Sequence, residues 1–458
     1  MNQDVTLAQG ALGTAESVVM GVAGTAPAFS VAATTATLVG AVGILSPGSI
    51  LYCGLIMLGV TLAFMYLNRK DANAGAAYAW VGQVFNPTLG FFAGWALLVA
   101  SAVFMVSGTF PAASATLLLI APSLSESPVA VALVAMVWLV VVSVVIIKGI
   151  KPTSYTQVIM TGVEVVILVG IIVLSFIKFG DHPTHQFSTQ WFAIGTPSLF
   201  ATGALTSLFF FWGWDVTANL NEETRNAKDA AGRAALVSMV IVILMFIAFV
   251  SATLLVLTDE EIAGSITNIV FTLADHLLPK PWSYLAVLAV MLSSIGTLET
   301  SILQFSRTLF AQARDGSLNR RYARLHANWQ TPWVATVVIA VFGLVLLAIS
   351  AGYPSVTDII KDSVNAIGFQ VAFYYSLTCL ACAWHYRRDA MRGVLPFILM
   401  LAWPLASAVV LIFIGLYSLP TFDAIAKAVA IGGLAIGIVP MLFNRRHRLA
   451  RSKIQRNA

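Results

Sequence analysis

The sequence predicts an all-α polytopic membrane protein with twelve transmembrane helices, and three observations carry that reading. Of 458 residues, 59% are hydrophobic and only 10% are charged, against about 25% charged in an ordinary soluble domain. Runs of about 20 apolar residues, enough to cross a hydrocarbon core of roughly 30 Å, recur along the whole chain. The Lys and Arg residues gather in alternate loops, as the positive-inside rule requires of a chain that crosses repeatedly. Backbone polar groups in lipid must be bonded within their own segment, so spans of this length are helices.

The twelve spans, in order, are residues 18–43, 47–68, 88–120, 129–147, 158–176, 197–214, 234–257, 282–310, 333–352, 364–384, 395–416 and 425–443. With a cytoplasmic N-terminus, all but Lys178, Lys280, Lys361 and Lys427 of the 25 Lys and Arg fall on the cytoplasmic side. Losing or adding one span would scramble that partition. Both termini are therefore expected inside, in a membrane of the bacterial cytoplasmic (inner) type. The formal charge of +5 reflects topology and gives no reason to expect nucleic acid. Residues 444–458, with basic residues from Arg445 to Arg456, form a cytoplasmic tail expected to lie against anionic lipid. No cleavable signal is expected: the first sixteen residues hold Asp4 and Glu16 but no Lys or Arg, and the first apolar run is too long for a signal core.

No hydrophilic stretch is long enough for a soluble domain, so residues 1–443 are expected to form one transmembrane domain. The six histidines lie in loops or near span ends without metal-ligand spacing. No G-x-S-x-G, Walker loop or H-E-x-x-H occurs, so neither a metal, a cofactor nor an intramembrane enzyme is expected. Cys379 and Cys382 form a C-x-x-C, but in a membrane helix they read as small packing residues.

Two spans are irregular at corresponding places. The first contains "GVAGTAPAFS" from Gly21 to Ser30, with Gly24 and Pro27 at mid-span; proline lacks an N–H and clashes with the preceding turn. The sixth runs into "FFFWGWD", with Gly213 ahead of Asp215. Interrupted spans at matching positions point to inverted repeats, here about 18–176 and 197–384 with 395–443 appended, and to a site where the breaks meet. The plain alternative is an unbroken helix from Pro197, which would carry Asp215 about 27 Å to the far interface.

Three carboxylates fall within spans: Glu164, Glu299 and Asp215. A charged side chain at a helix centre costs roughly 2.5–3.5 kcal/mol on insertion scales, so each is a functional candidate. No span centre holds a Lys or Arg to pair with them; Arg307, late in the eighth span, is nearest. Such groups can carry a proton, bind a cationic substrate, or hydrogen-bond in neutral form.

At this point the chain resembles the amino acid–polyamine–organocation (APC) superfamily of secondary transporters. "FFFWGWDVTANLNEETRNAKDAAGRAALVS" (209–238) resembles its sixth helix and following loop. "SRTLFAQARDGSLNRRYARLHANWQTPWVA" (306–335) resembles its segment after helix eight. "NAGAAYAWVGQVFNPTLGFFAGW" (73–95) resembles its G-x-x-Y loop and third helix. The resemblance implies a five-plus-five inverted repeat and alternating-access transport of a small amino acid or organic amine (or polyamine). It places the substrate between Ala23, Gly24, Thr25, Ala26, Pro27, Ala28 and Phe29 of the first span and Phe209, Trp212, Gly213 and Asp215 of the sixth. Phe209 would be the gating aromatic, and Asp215 would cap the second half of the sixth helix.

The chain departs from the family pattern in two places. Pro27-Ala28-Phe29 stands where amino-acid members have G-x-G, and Glu164 stands where some proton-coupled members have lysine. Both changes favour a cationic amine over a zwitterion. Glu164 and Glu299 are then candidates for proton coupling or cation recognition. Ser293, Ser294 and Thr297 could supply a sodium site instead. The expected partners are a small-molecule substrate, protons or sodium, and the bilayer. A sensor that binds without transporting, sodium coupling and exchange are the alternatives; a channel lacks any ring of charge.

Overall fold

A computed structural model describes residues 6–125, 127–265, 268–351 and 356–443, and helices account for most of them. Among the described residues the only β-type pairing is an isolated bridge between Leu12 and Thr224. The basic tail predicted at 444–458 lies outside the described residues.

The helices in chain order are α1 (Thr14–Gly24), α2 (Pro27–Val42), α3 (Ser46–Lys70), α4 (Ala77–Val84), α5 (Pro87–Ser107), α6 (Thr109–Ile120), α7 (Pro128–Ile147), α8 (Ile150–Phe179), α9 (Pro197–Leu208), α10 (Val216–Asn219), α11 (Ala227–Val256), α12 (Asp259–Gly264), α13 (Ile269–Leu277), α14 (Leu285–Arg314), α15 (Trp333–Ser350) and α16 (Val356–Ala390). Two further helical stretches follow, Val394–Thr421 and Ala424–Phe443. Each contains a π-helical segment, at Phe397–Ala402 and Ala428–Gly432.

Ten helical stretches among the described residues are long and apolar enough to cross a membrane; this is a multi-pass integral membrane protein. The predicted twelve differ from these ten in two places. The first two predicted spans are run together in Thr14–Lys70, 57 residues in length. Straight, that would measure about 86 Å at ~1.5 Å per residue, nearly three hydrocarbon cores. It does not run straight: the chain turns between α2 and α3 at Gly43, whose φ of 57° and ψ of −134° leave the helical region. The sixth predicted span is missing from the ten because its helix stops early, at Leu208.

α14 is the axis of the bundle. Every residue from Ser293 to Ala313 is buried, and α2, α5, α6, α8 and α15 all pack against it. This segment carries Ser, Thr, Gln, Glu and Arg on all sides, so each neighbour must supply polar partners. The peripheral elements behave oppositely. α7, α8, α15 and the last two stretches expose large apolar side chains such as Leu133, Val166, Val341, Leu416 and Phe443, the surface that lipid covers.

The first span is interrupted between α1 and α2. Pro27 cannot continue a helix and disfavours the α region in the residue before it. Ala26 accordingly takes φ 46° and ψ 65° in the left-handed region, and Pro27 becomes the first residue of α2. In the sixth span, α9 spans 12 residues, about 18 Å. A 3-10 turn follows at Phe209–Phe211, and Gly213 then takes φ 101°, a conformation glycine adopts without steric cost. The two breaks touch. A methyl group on Gly24 would run into the Gly213 carbonyl, and one on Gly213 into the Gly24 carbonyl.

Both obstacles are backbone atoms that cannot swing aside. Gly24→Ala or Gly213→Ala should therefore cost about 1–3 kcal/mol, as overpacking does, and lower the unfolding temperature in detergent. Gly40→Ala, in α2 where an added Cβ meets nothing within 4 Å, should leave that temperature unchanged.

Candidate functional site

The break in the first span is satisfied partly by its own backbone carbonyls and partly by side chains from α8 and α14. Pro27 has no N–H to offer. The Ala28 N–H donates to Glu164 Oε1 at 2.8 Å, and the Phe29 N–H donates to Ser293 Oγ at 3.1 Å. Ser30 N–H closes on Ala26 O at 2.7 Å, Thr25 N–H on Val22 O and Ala26 N–H on Ala23 O. Thr297 Oγ1 donates to Ala23 O at 2.7 Å. Glu164 thus sits against the positive end of α2, where the peptide dipoles favour a carboxylate.

Gln157, Thr161 and Glu164 recur at helical spacing on α8 and face α14. The Gln157 amide, oriented with its nitrogen toward the two acceptors, donates to Gly296 O at 3.2 Å and Glu299 Oε1 at 3.0 Å; its oxygen accepts from Thr161 Oγ1 at 3.0 Å. That orientation follows from the hydrogen-bond network. Glu299 is buried like Glu164, each with 1% of its surface exposed. Neither forms an ion pair among the described residues.

At the second break, Asp215 is fully buried. It accepts from Tyr374 Oη at 2.8 Å, Tyr375 Oη at 3.0 Å and Gln304 Nε2 at 2.9 Å, and Trp212 Nε1 donates to Tyr374 Oη at 3.1 Å. The expected cap is not formed: no side-chain bond runs from Asp215 to the α10 backbone. A capping residue needs extended dihedrals, whereas Asp215 at φ −71° and ψ −4° already lies in the turn. Its carboxylate instead ties the break to α14 and α16.

The aromatic run before it mostly fills the core. Phe210 and Phe211 meet Phe246, and Trp214 meets Phe64 and Tyr375. Trp212 and Phe29 instead meet edge-on at Phe104 of α5, with centroids 5.3 and 6.4 Å away, bridging the two breaks. The side chain of Phe209, the expected gate, lies outside the described residues.

At the end of the bundle rich in basic residues, two ion pairs join the loop after α10 to α14. Arg307 binds Glu223 bidentately at 2.9 and 3.0 Å, with both side chains fully buried. Arg314 does the same to Glu222 at 2.9 Å through both nitrogens. Glu222 also accepts from Ala74 N at 2.8 Å, while Asn219 and Asn221 bond Ala74 O and Asn73 O. The N-terminal segment joins through Leu12 N–H to Glu223 O and Arg225 N–H to Leu12 O.

Of the residues singled out in the sequence, the structure brings Ala23 to Phe29, Glu164, Ser293 and Thr297 together at one break. It places Trp212, Gly213 and Asp215 at the other. Ser294 turns back to its own helix, bonding Val290 O at 2.9 Å, and takes no part. Glu299 is linked through Gln157 and α8. Sequence reasoning missed Tyr374, Tyr375, Gln304, Gln157 and Phe104, which in a membrane span read as packing. Buried Arg307 was seen, but its partner Glu223 was not.

Two broken helices that meet beside buried carboxylates are the arrangement in which many secondary transporters place their substrate site. A profile of the amino acid permease family matches residues 12–439, and the chain belongs to that family, within the APC superfamily that the motifs resembled. It is 24% identical over 302 residues to the serine/threonine exchanger SteT of Bacillus subtilis, covering 65% of this chain and 67% of that one. It is 26% identical over 350 residues to the low-affinity putrescine importer PlaP of Escherichia coli, covering 74% and 73%. It is 23% identical over 398 residues to the human large neutral amino acids transporter small subunit 2, covering 84% and 71%.

Asp215→Asn turns an acceptor of three bonds into a group with two N–H donors facing donors. It should cost about 1.5–3 kcal/mol in detergent unfolding and impair uptake; unchanged uptake kinetics would remove Asp215 from the working region. Glu223→Gln leaves the buried Arg307 charge unpaired and should cost about 3–5 kcal/mol. Arg307→Lys should be nearly as damaging, because an ammonium cannot make the bidentate contact.

Proposed function

We propose that this protein is a secondary active transporter that moves a small amino acid or organic amine by alternating access, coupled to protons. It performs no chemistry on its substrate. The observation that carries this reading is the contact of the Gly24 and Gly213 breaks beside Glu164. Polar and charged groups at that depth are costly, and a substrate between two half-helix ends gives them a purpose. The relatives named as a serine/threonine exchanger and a putrescine importer support a substrate class of amino acids or amines.

Glu299, whose carboxylate accepts from Gln157 of α8, is our candidate to carry the proton. The positive-inside rule puts the end bearing Arg225 and Arg314 in the cytoplasm with both termini, in a bacterial-type inner membrane. Residues 1–443 then act as one transporter domain, with inverted repeats at about 18–176 and 197–384.

The test is uptake into proteoliposomes of amino acids, diamines and monoamines, with pH and sodium gradients varied independently. A proton gradient should drive accumulation and a sodium gradient should not. Glu299→Gln should abolish the pH-driven accumulation while sparing counterflow. Accumulation that persists in this variant would take Glu299 out of the coupling role, and flux seen only with substrate on both sides would favour exchange.

A further inference from the structure

The donors at the first break are all spent within the protein. Across Thr25 to Ser30, Pro27 has no N–H and the other five are bonded: Thr25, Ala26 and Ser30 to backbone carbonyls, Ala28 to Glu164 and Phe29 to Ser293. An N-terminal helix end exposed in mid-membrane would otherwise be the natural seat for a ligand carboxylate. Here a carboxylate from α8 already occupies it. Ser293 reinforces the arrangement by accepting from Phe29.

The complementary charge is missing. Neither Glu164 nor Glu299 has a basic partner among the described residues, and Arg307, the nearest to Glu299 in sequence, is committed to Glu223. Among the described residues, the start of α2 therefore has no free backbone N–H and holds an acidic group without a basic partner. A ligand carboxylate seated at the start of α2 would find no free backbone N–H from Thr25 to Ser30 and would face Glu164 directly. An ammonium group would meet the opposite situation.

The geometry points to Glu164 as the specificity-determining residue of this site: it fills the anion position at the start of α2, so that the permease selects organic amines lacking an α-carboxylate over the corresponding amino acids. This rests on the transport reading above and narrows its substrate class.

The test compares pairs that differ only by that carboxylate: putrescine and ornithine, cadaverine and lysine, ethanolamine and serine, phenethylamine and phenylalanine, isobutylamine and valine. Each is measured twice on the full chain, as a ligand-induced shift in unfolding temperature in detergent and as uptake into proteoliposomes. At least one amine should be preferred at least tenfold over its amino acid. Glu164→Gln, which keeps an acceptor for Ala28 but loses the charge, should weaken that amine at least tenfold without strengthening the amino acid. Glu164→Ala, which frees the Ala28 N–H, should bring the two members of the pair within about threefold of each other.

Preference for the amino acid in the wild type, or a ratio unchanged in both variants, overturns the assignment while leaving transport standing. Binding of amines with the expected ratios but no flux upholds the assignment and overturns the transport reading. Neither binding nor flux with any pair overturns both.

Discussion

The centre of this molecule depends on one close contact between two backbones. Gly24 and Gly213 each occupy the space that a side chain on the other would need, so the broken ends of the first and sixth spans can share one place. Pro27 and the positive φ of Ala26 make one break; the φ of 101° at Gly213 makes the other. Neither break is a defect of packing. Each frees backbone groups that must then be satisfied in a region without water.

The way those groups are satisfied sets the character of the site. The first break takes partners for its backbone from α8 and α14, while the second is tied to α14 and α16 through the Asp215 carboxylate. α14 therefore serves both, through Ser293 and Thr297 on one side and Gln304 on the other. This explains why a helix so rich in hydroxyls, amides and charges is buried from Ser293 to Ala313: it is the shared source of hydrogen bonds. The three carboxylates differ accordingly. Asp215 is held by three side-chain donors and acts as a strut, Glu164 lies against a helix end, and Glu299 accepts from an amide.

The same helix closes the basic end. Arg307 and Arg314 hold Glu223 and Glu222 in bidentate pairs, and those glutamates belong to the chain emerging from the second break. Movement at Gly213 is thereby linked to the end of the bundle through fewer than a dozen residues. Any opening of that end must either part a fully buried ion pair, at considerable cost, or carry the loop and α14 together.

Hydropathy and charge placement determined that the chain crosses the membrane repeatedly as helices, because lipid imposes length and internal hydrogen bonding on any span. Proline and glycine marked where two helices break, since both act through local backbone geometry. The costly carboxylates stood out for the same one-dimensional reason. Pairing was not legible. That Asp215 faces two tyrosines some 160 residues away, that Glu223 neutralises Arg307, and that Glu164 meets the Ala28 N–H of α2 are long-range contacts. Periodicity and spacing record which residues share a helix face, whereas these partners lie on different helices, brought together only when the bundle packs.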